Sequence, residues 1–98
     1  MRRGQVDVGA SLDLHGETFD SAAHKVRSFL IAAHNRGDRT VIIVTGKGRG
    51  GDGVLKRALP DWLADPSLKS VLSGYAQAHR THGGAGAYYV FLKAKRES

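Results

Sequence analysis

An unbroken run of β-branched residues, Thr40-Val41-Ile42-Ile43-Val44-Thr45, constrains this chain more than any other feature. Branching at Cβ stiffens χ1 and favours a pleated backbone. The run shows no polar alternation, so it predicts a central strand buried on both faces or nearly so, parallel to its neighbour. That neighbour lies upstream, where Leu12-Asp13-Leu14-His15 alternates apolar with polar at the period of a half-buried strand. Between the two, Phe19, Ala22, Ala23, Val26, Phe29, Leu30 and Ala33 recur at three- and four-residue steps, one apolar face of a helix. Thr18 is placed to cap that helix, Asp20 suits its dipole, and Gly37 stops it. Strand, helix and strand make one right-handed crossover unit.

Gly46 to Gly53 holds five glycines in eight residues and reads as a loop. A second helical stretch follows, with Leu55, Leu59, Trp62 and Leu63 on one face. Pro60 lacks the amide proton of an interior turn, so two short helical pieces meeting near Leu59 are expected, ending by Asp65-Pro66. Ser70–Ala76 and Ala87–Ala94 read as the last two strands, joined by the long loop Gln77–Gly86. The fold class is therefore α+β: a two-layer α/β sandwich in the order βαβαββ, a mixed four-stranded sheet with both helices on one face. Residues 1–11 read as an extended lead-in, 12–94 as the domain and 95–98 as a polar tail.

A chain of 98 residues suffices for one compact domain and not for two cores. No stretch approaches the ~20 apolar residues of a membrane span, and the start, Met1-Arg2-Arg3-Gly4-Gln5, lacks the apolar core of a secretory signal. The absence of cysteine excludes a disulfide framework and thiolate metal sites. A cytoplasmic location and a monomer with no membrane partner are expected. Fifteen Lys and Arg against nine Asp and Glu give a net charge of +6, which favours anionic partners, chiefly nucleic acid or an acidic membrane surface, with a tilt toward nucleic acid.

Three segments carry candidate chemistry. Two-residue spacing puts Asp13 and His15 together on the face opposite Leu12 and Leu14, near the C-terminal end of a strand, where ligands of parallel sheets collect. An imidazole is the usual acid or base near neutral pH, and a carboxylate can orient it or hold a cation; the alternative is a pair that merely fixes the strand-to-helix turn. The second segment is Gly46-Lys47-Gly48-Arg49-Gly50-Gly51-Asp52-Gly53, whose glycines let backbone amides approach phosphate, with Lys47, Arg49, Lys56 and Arg57 supplying charge. It is not a Walker loop, since Val41 stands where that pattern needs glycine and Gly48 where it needs Ser or Thr. Gly46, Gly48 and Gly51 match G-x-G-x-x-G literally, but the loop follows the second strand and too little chain remains for a dinucleotide fold. The third segment, Gln77–Gly86, carries His79, Arg80 and His82; Arg80 and His82 are candidate phosphate contacts. Whether it joins the other two depends on strand order. One ring of Tyr88-Tyr89 must face outward, where it could stack a base. His24 and His34 read as solvated.

Taken in order, Leu12-Asp-Leu-His-Gly16, Thr18 opening an alanine-rich helix, Thr45-Gly-Lys-Gly48, Gly53-Val-Leu-Lys56, Leu59-Pro-Asp-Trp-Leu63 and His82-Gly-Gly-Ala-Gly86 resemble a Smr (small MutS-related) domain. The resemblance runs from Leu12 to Leu92. It implies a fold similar to the C-terminal domain of translation initiation factor three. It also implies activity, because the family includes DNA-nicking endonucleases and endoribonucleases that cut messenger RNA at stalled or collided ribosomes. By position, Asp13 and His15 match the family's D-x-H motif, and Gly46-Lys47-Gly48 its G-x-G loop, which here runs longer, through Gly53.

The function expected is an endonuclease, a phosphodiester hydrolase, with Asp13 and His15 catalytic and Gly46, Lys47, Gly48, Arg49, Lys56, Arg57, Arg80 and His82 binding DNA or RNA. Ribosomes are a further expected partner. No metal-ligand set is assigned; one Asp and one His make a thin one, so any Mg²⁺ or Mn²⁺ would be loosely held. The alternative is a non-catalytic nucleic-acid or ribosome-binding module. A small-molecule phosphate binder is a third class, disfavoured by the short chain.

Overall fold

A computed structural model describes residues 8–46, 52–77 and 86–94. In chain order the elements are β1 (Ala10–Asp13), α1 (Phe19–Arg36), β2 (Thr40–Val44), α2 (Asp52–Leu63), a 3-10 turn (Pro66–Leu68), β3 (Leu72–Gln77) and β4 (Ala87–Leu92). The sheet order is β1-β2-β4-β3, with β1 parallel to β2 and both later pairings antiparallel. The mixed sheet and two helices are those expected from the sequence.

Strand alternation sorts the sheet into two faces. Leu14, Val41, Ile43, Val90 and Leu92 are fully or almost fully buried against Ala22, Val26, Leu30 and Ala33 of α1 and Leu55, Leu59 and Leu63 of α2. Both helices therefore lie on one face. On the other face Ile42, Val44, Tyr89 and Phe91 are only half-buried. This corrects the expectation for β2, which is central and parallel to β1 but buried on one face alone. A continuous apolar run does not distinguish a second helical layer from an uncovered sheet face.

Local chemistry explains the boundaries. Thr18, extended at φ −74° and ψ 164°, accepts a hydrogen bond from the Ser21 amide through Oγ1 (3.1 Å) and caps α1. Gly37 closes it in the left-handed conformation at φ 90°. β1 starts earlier than its alternation indicated, at Ala10, because Ala10 and Ser11 pair with Val41 and Ile42. It ends at Asp13, although the Leu14 amide still donates to the Val44 carbonyl at 2.7 Å.

The proline expectation is also corrected. α2 runs unbroken from Asp52 to Leu63 with Pro60 inside it. An interior proline removes one hydrogen bond and crowds the preceding turn, at about 3 kcal/mol or more. Leu55, Leu59 and Leu63 straddle Pro60 and are all buried; at roughly 1.5–3 kcal/mol each, their burial outweighs that cost. The helix then gives way to a 3-10 turn capped by Asp65, whose carboxylate accepts from the Ser67 amide at 2.8 Å.

Candidate active site

The strand order settles where the loops meet. The C-terminal ends of β1, β2 and β3 and the N-terminal end of β4 lie along one edge of the sheet, where Asp13, Val44 and Ala87 occupy one register row and Gln77 pairs with Tyr88. The turn after β1, the glycine loop after β2 and the long loop between β3 and β4 thus emerge side by side. Of the predicted site residues, Asp13, His15, Gly46, Lys56 and Arg57 are described; Lys47, Gly48, Arg49, Arg80 and His82 lie outside the described residues.

Asp13 and His15 are both exposed, flanking the fully buried Leu14. Leu14 anchors the turn in the core while its neighbours face solvent. Asp13 Oδ1 accepts a hydrogen bond from the His15 main-chain amide at 2.9 Å. The carboxylate therefore orients His15 through its backbone, closing a local turn of the kind Asp side chains favour. Gly16 continues the turn at φ 82°, and the Glu17 amide donates to the Leu14 carbonyl at 2.9 Å.

The far side of this turn is braced by charge. Glu17 accepts from Lys25 Nζ at 2.6 Å and from Ser21 Oγ at 2.7 Å. The bond from Lys25 first, and that from Ser21 second, hold the Glu17 carboxyl below its ordinary pKa.

Next to it, β2 ends on a polar clamp. Thr45 is fully buried; its amide donates to the Gly86 carbonyl at 2.6 Å, and its Oγ1 hydroxyl donates to the same oxygen at 3.1 Å. The two backbones are packed so closely that a Cβ on Gly86 would stand 1.8 Å from the Gly46 carbonyl oxygen. Gly46 itself has φ 100°, a conformation glycine adopts without strain. One end of each glycine-containing loop is thereby locked to the other beside the Asp13–His15 turn. Lys56 and Arg57 line a cavity of about 440 Å³ with Gly53, Pro60 and Tyr88, on the helix side of β4. β4 itself is two strand spacings, about 10 Å, from β1.

Over residues 12–93 the chain matches the model of the Smr domain family. The chain belongs to this family. As a Smr domain it is 31% identical over 93 residues to the ribosome rescue factor SmrB of Haemophilus influenzae, an alignment covering 94% of this chain and 52% of that protein. It is also 31% identical over 105 residues to the probable DNA endonuclease SmrA of Escherichia coli, covering 100% and 54% respectively. The chain spans about half the length of the curated relatives it matches. Among solved structures it resembles the Smr domain of Thermus thermophilus MutS2, with TM-score 0.74, 31% identity and coverage of 86% of this chain and 98% of that one. It also resembles YdaL, a stand-alone small MutS-related protein from Escherichia coli, with TM-score 0.79, 31% identity and coverage of 92% and 69%.

Two features of this Smr domain escaped the reading of its sequence. Thr45 closes the β-branched run of the sequence, and its hydroxyl is a buried clamp. The available signal was a Thr closing an apolar strand, since a buried hydroxyl needs a partner. In the Glu17–Ser21–Lys25 brace only Ser21 and Lys25 share a face of α1 by four-residue spacing, while Glu17 reaches them from just before the Thr18 cap. Among the described residues no group of three or more His, Cys, Asp or Glu is placed to hold a metal ion, and no helix is long and apolar enough to cross a membrane.

Proposed function

We propose that this Smr domain is an endonuclease that cleaves phosphodiester bonds of a nucleic acid at the Asp13–His15 turn. The observation that carries the reading is the convergence of that exposed turn with the locked ends of both glycine-containing loops at one sheet edge. A backbone phosphate held there would have the His15 side chain within reach. The attacking oxygen, from water or from an RNA 2′-hydroxyl, forms a new bond to phosphorus and gives up a proton. The bond to the departing sugar oxygen breaks, and that oxygen takes a proton. His15 carries one of these transfers, the task for which imidazole is suited near neutral pH. Asp13 fixes the position of His15 through the main chain. Lys47, Arg49 and the loop amides stabilise charge on the phosphate, as preorganised donors do, while Arg80, His82, Lys56 and Arg57 bind the flanking strand. Residence in the cytoplasm and action at ribosomes are part of the same proposal, supported by similarity to a ribosome rescue factor.

His15→Ala should lower cleavage of labelled RNA, DNA or supercoiled plasmid at least 100-fold, within the usual range for a general acid or base. Its circular dichroism and melting temperature should match the parent. Undiminished cleavage by this variant would remove His15 from the chemistry.

One observation favours a second reading, a non-catalytic nucleic-acid or ribosome-binding module. The bond from the His15 amide to Asp13 is itself a complete structural role for the carboxylate. Such a module would bind with a strong salt dependence, from counterion release, and yield no product with or without Mg²⁺ or Mn²⁺.

A further inference from the structure

The sheet face turned away from the helices carries a feature that the cleavage site does not use. Tyr89 and Phe91 stand two residues apart on β4, with ring centroids 6.5 Å apart and planes only 24° from parallel. Both rings are half-buried and share that face with Ile42 and Val44 of β2 and the exposed Ala76 of β3. Asp13 is the one acidic residue among the strand-paired positions of this face; Asp38, just before β2, is ion-paired with Arg36 at 2.6 Å. Aromatic rings facing nearly the same way are what unpaired bases stack on, whatever their sequence.

Charge marks the far end of the same face. Lys93 follows β4 and is exposed, whereas Arg39, also exposed, precedes β2 in alternation with Val41 and Ile43 and so belongs to the helix side. The Lys93 backbone is held in place, because its amide donates to the Val71 carbonyl at 2.8 Å. Lys93 continues the alternation of Tyr89 and Phe91. From the row of Ala87 to that of Lys93 is about 20 Å of strand. The face thus runs from the Lys93 cation, over two nearly parallel rings, to the Asp13–His15 turn, and the whole chain is positive at +6.

We propose that the open sheet face is a platform for single-stranded nucleic acid, on which unpaired bases stack against Tyr89 and Phe91. Lys93 meets the backbone at one end, and the strand is delivered to Asp13 and His15 at the other. The proposal rests on the cleavage reading for its direction and names the substrate form: a strand whose bases are free to stack. A paired base has its faces occupied by its own neighbours and gains nothing from these rings.

The test is a titration of the parent chain with an oligonucleotide carrying one 2-aminopurine, as single-stranded RNA, single-stranded DNA and the corresponding DNA duplex. Stacking on Tyr89 should quench the fluorescence of the single strands and leave the duplex unchanged. Tyr89→Leu should weaken single-strand binding about tenfold and abolish the quench, with the salt slope unchanged, whereas Tyr89→Phe should retain both. Lys93→Ser should keep the quench and reduce the salt slope by about one. Equal affinity of parent and Tyr89→Leu for the single strand, with the fold intact by circular dichroism, overturns the platform. So does an equal loss on duplex and single strand. Concentration-dependent dimerisation in sedimentation that Tyr89→Leu abolishes would assign the face to a second copy of the chain and also overturn it. Cleavage retained without quenching defeats the platform alone, and quenching without cleavage defeats the catalytic reading alone. The RNA and DNA arms separate the two possible strands.

Discussion

The two faces of the sheet are built from the same four strands and serve opposite ends. On the covered face Leu14, Val41, Ile43 and Val90 have no exposed surface, and Leu12 of β1 and Leu72 of β3 pack against the same core. On the open face the neighbouring positions, Asp13, Ile42, Val44 and Tyr89, are exposed or half-buried. A single residue of register separates the two environments, since strand side chains alternate with period two. The contrast shows how a chain of 98 residues can hold a stable core and still present a wide surface to a polymer. One face carries the stability, and the other is the one proposed for chemistry and recognition.

The sharpest way to break this division is to truncate adjacent residues of β2. Ile43→Ala empties a fully buried site and should cost about 2–5 kcal/mol, lowering the midpoint of urea unfolding with little change in its slope. Ile42→Ala, one residue earlier on the open face, should cost well under half as much. It should weaken single-strand binding instead, because it removes apolar surface beside Tyr89. Equal destabilisation by the two would mean that both faces are packed alike and that the open face is no recognition surface.

Much of the covered face was legible beforehand, because it is governed by periodicity. The α1 stripe of Ala22, Val26, Leu30 and Ala33, its Thr18 cap and its Gly37 stop follow from local spacing and capping chemistry, and the structure has each in place. The open face was not legible in the same way. Whether Ile42 and Val44 lie under a second layer depends on what the rest of the chain covers, which no local pattern encodes. Pro60 misled for a related reason: a local propensity was overruled by the burial of three leucines around it. At the candidate site, Asp13 and His15 could be placed at a strand tip from alternation alone. Their nearness to the loop between β3 and β4 required the strand order, and the clamp of Thr45 on Gly86 joins residues 41 positions apart.

That clamp offers a smaller perturbation that belongs to neither face. An alanine methyl at Gly86 cannot fit 1.8 Å from the Gly46 oxygen, so Gly86→Ala must separate the two backbones and loosen the Thr45 bonds. A loss of about 1–3 kcal/mol is expected, in the range of overpacked sites. Cleavage should fall further than stability accounts for, because the loop ends beside His15 lose their mutual anchor. Gly74→Ala on β3 is the control: nothing lies within 4 Å of its added carbon, and stability and cleavage should both be nearly unchanged. If the two glycine variants cleave equally well, the joined loop ends are not part of the site.

The smallest effect comes from the brace behind the Asp13–His15 turn. Lys25 and then Ser21 stabilise the charged form of Glu17 in the folded chain, lowering its pKa from an ordinary value of 4.5. A carboxyl whose folded pKa is depressed contributes its stabilisation fully above the unfolded value. That contribution is lost as the pH falls through the folded value. Unfolding followed from pH 7 to pH 3 should therefore show a shallower acid loss in Glu17→Gln than in the parent, with the difference confined to the region below about 4.5. Added salt should shrink the difference, because the Lys25–Glu17 pair is solvent-accessible and screened. Since Glu17 lies two residues beyond His15 but is tied to α1 and not to the open face, single-strand binding at neutral pH should be the same in both proteins. A binding defect in Glu17→Gln would show that the open face depends on this brace, and that the turn couples the helical layer to the surface it leaves uncovered.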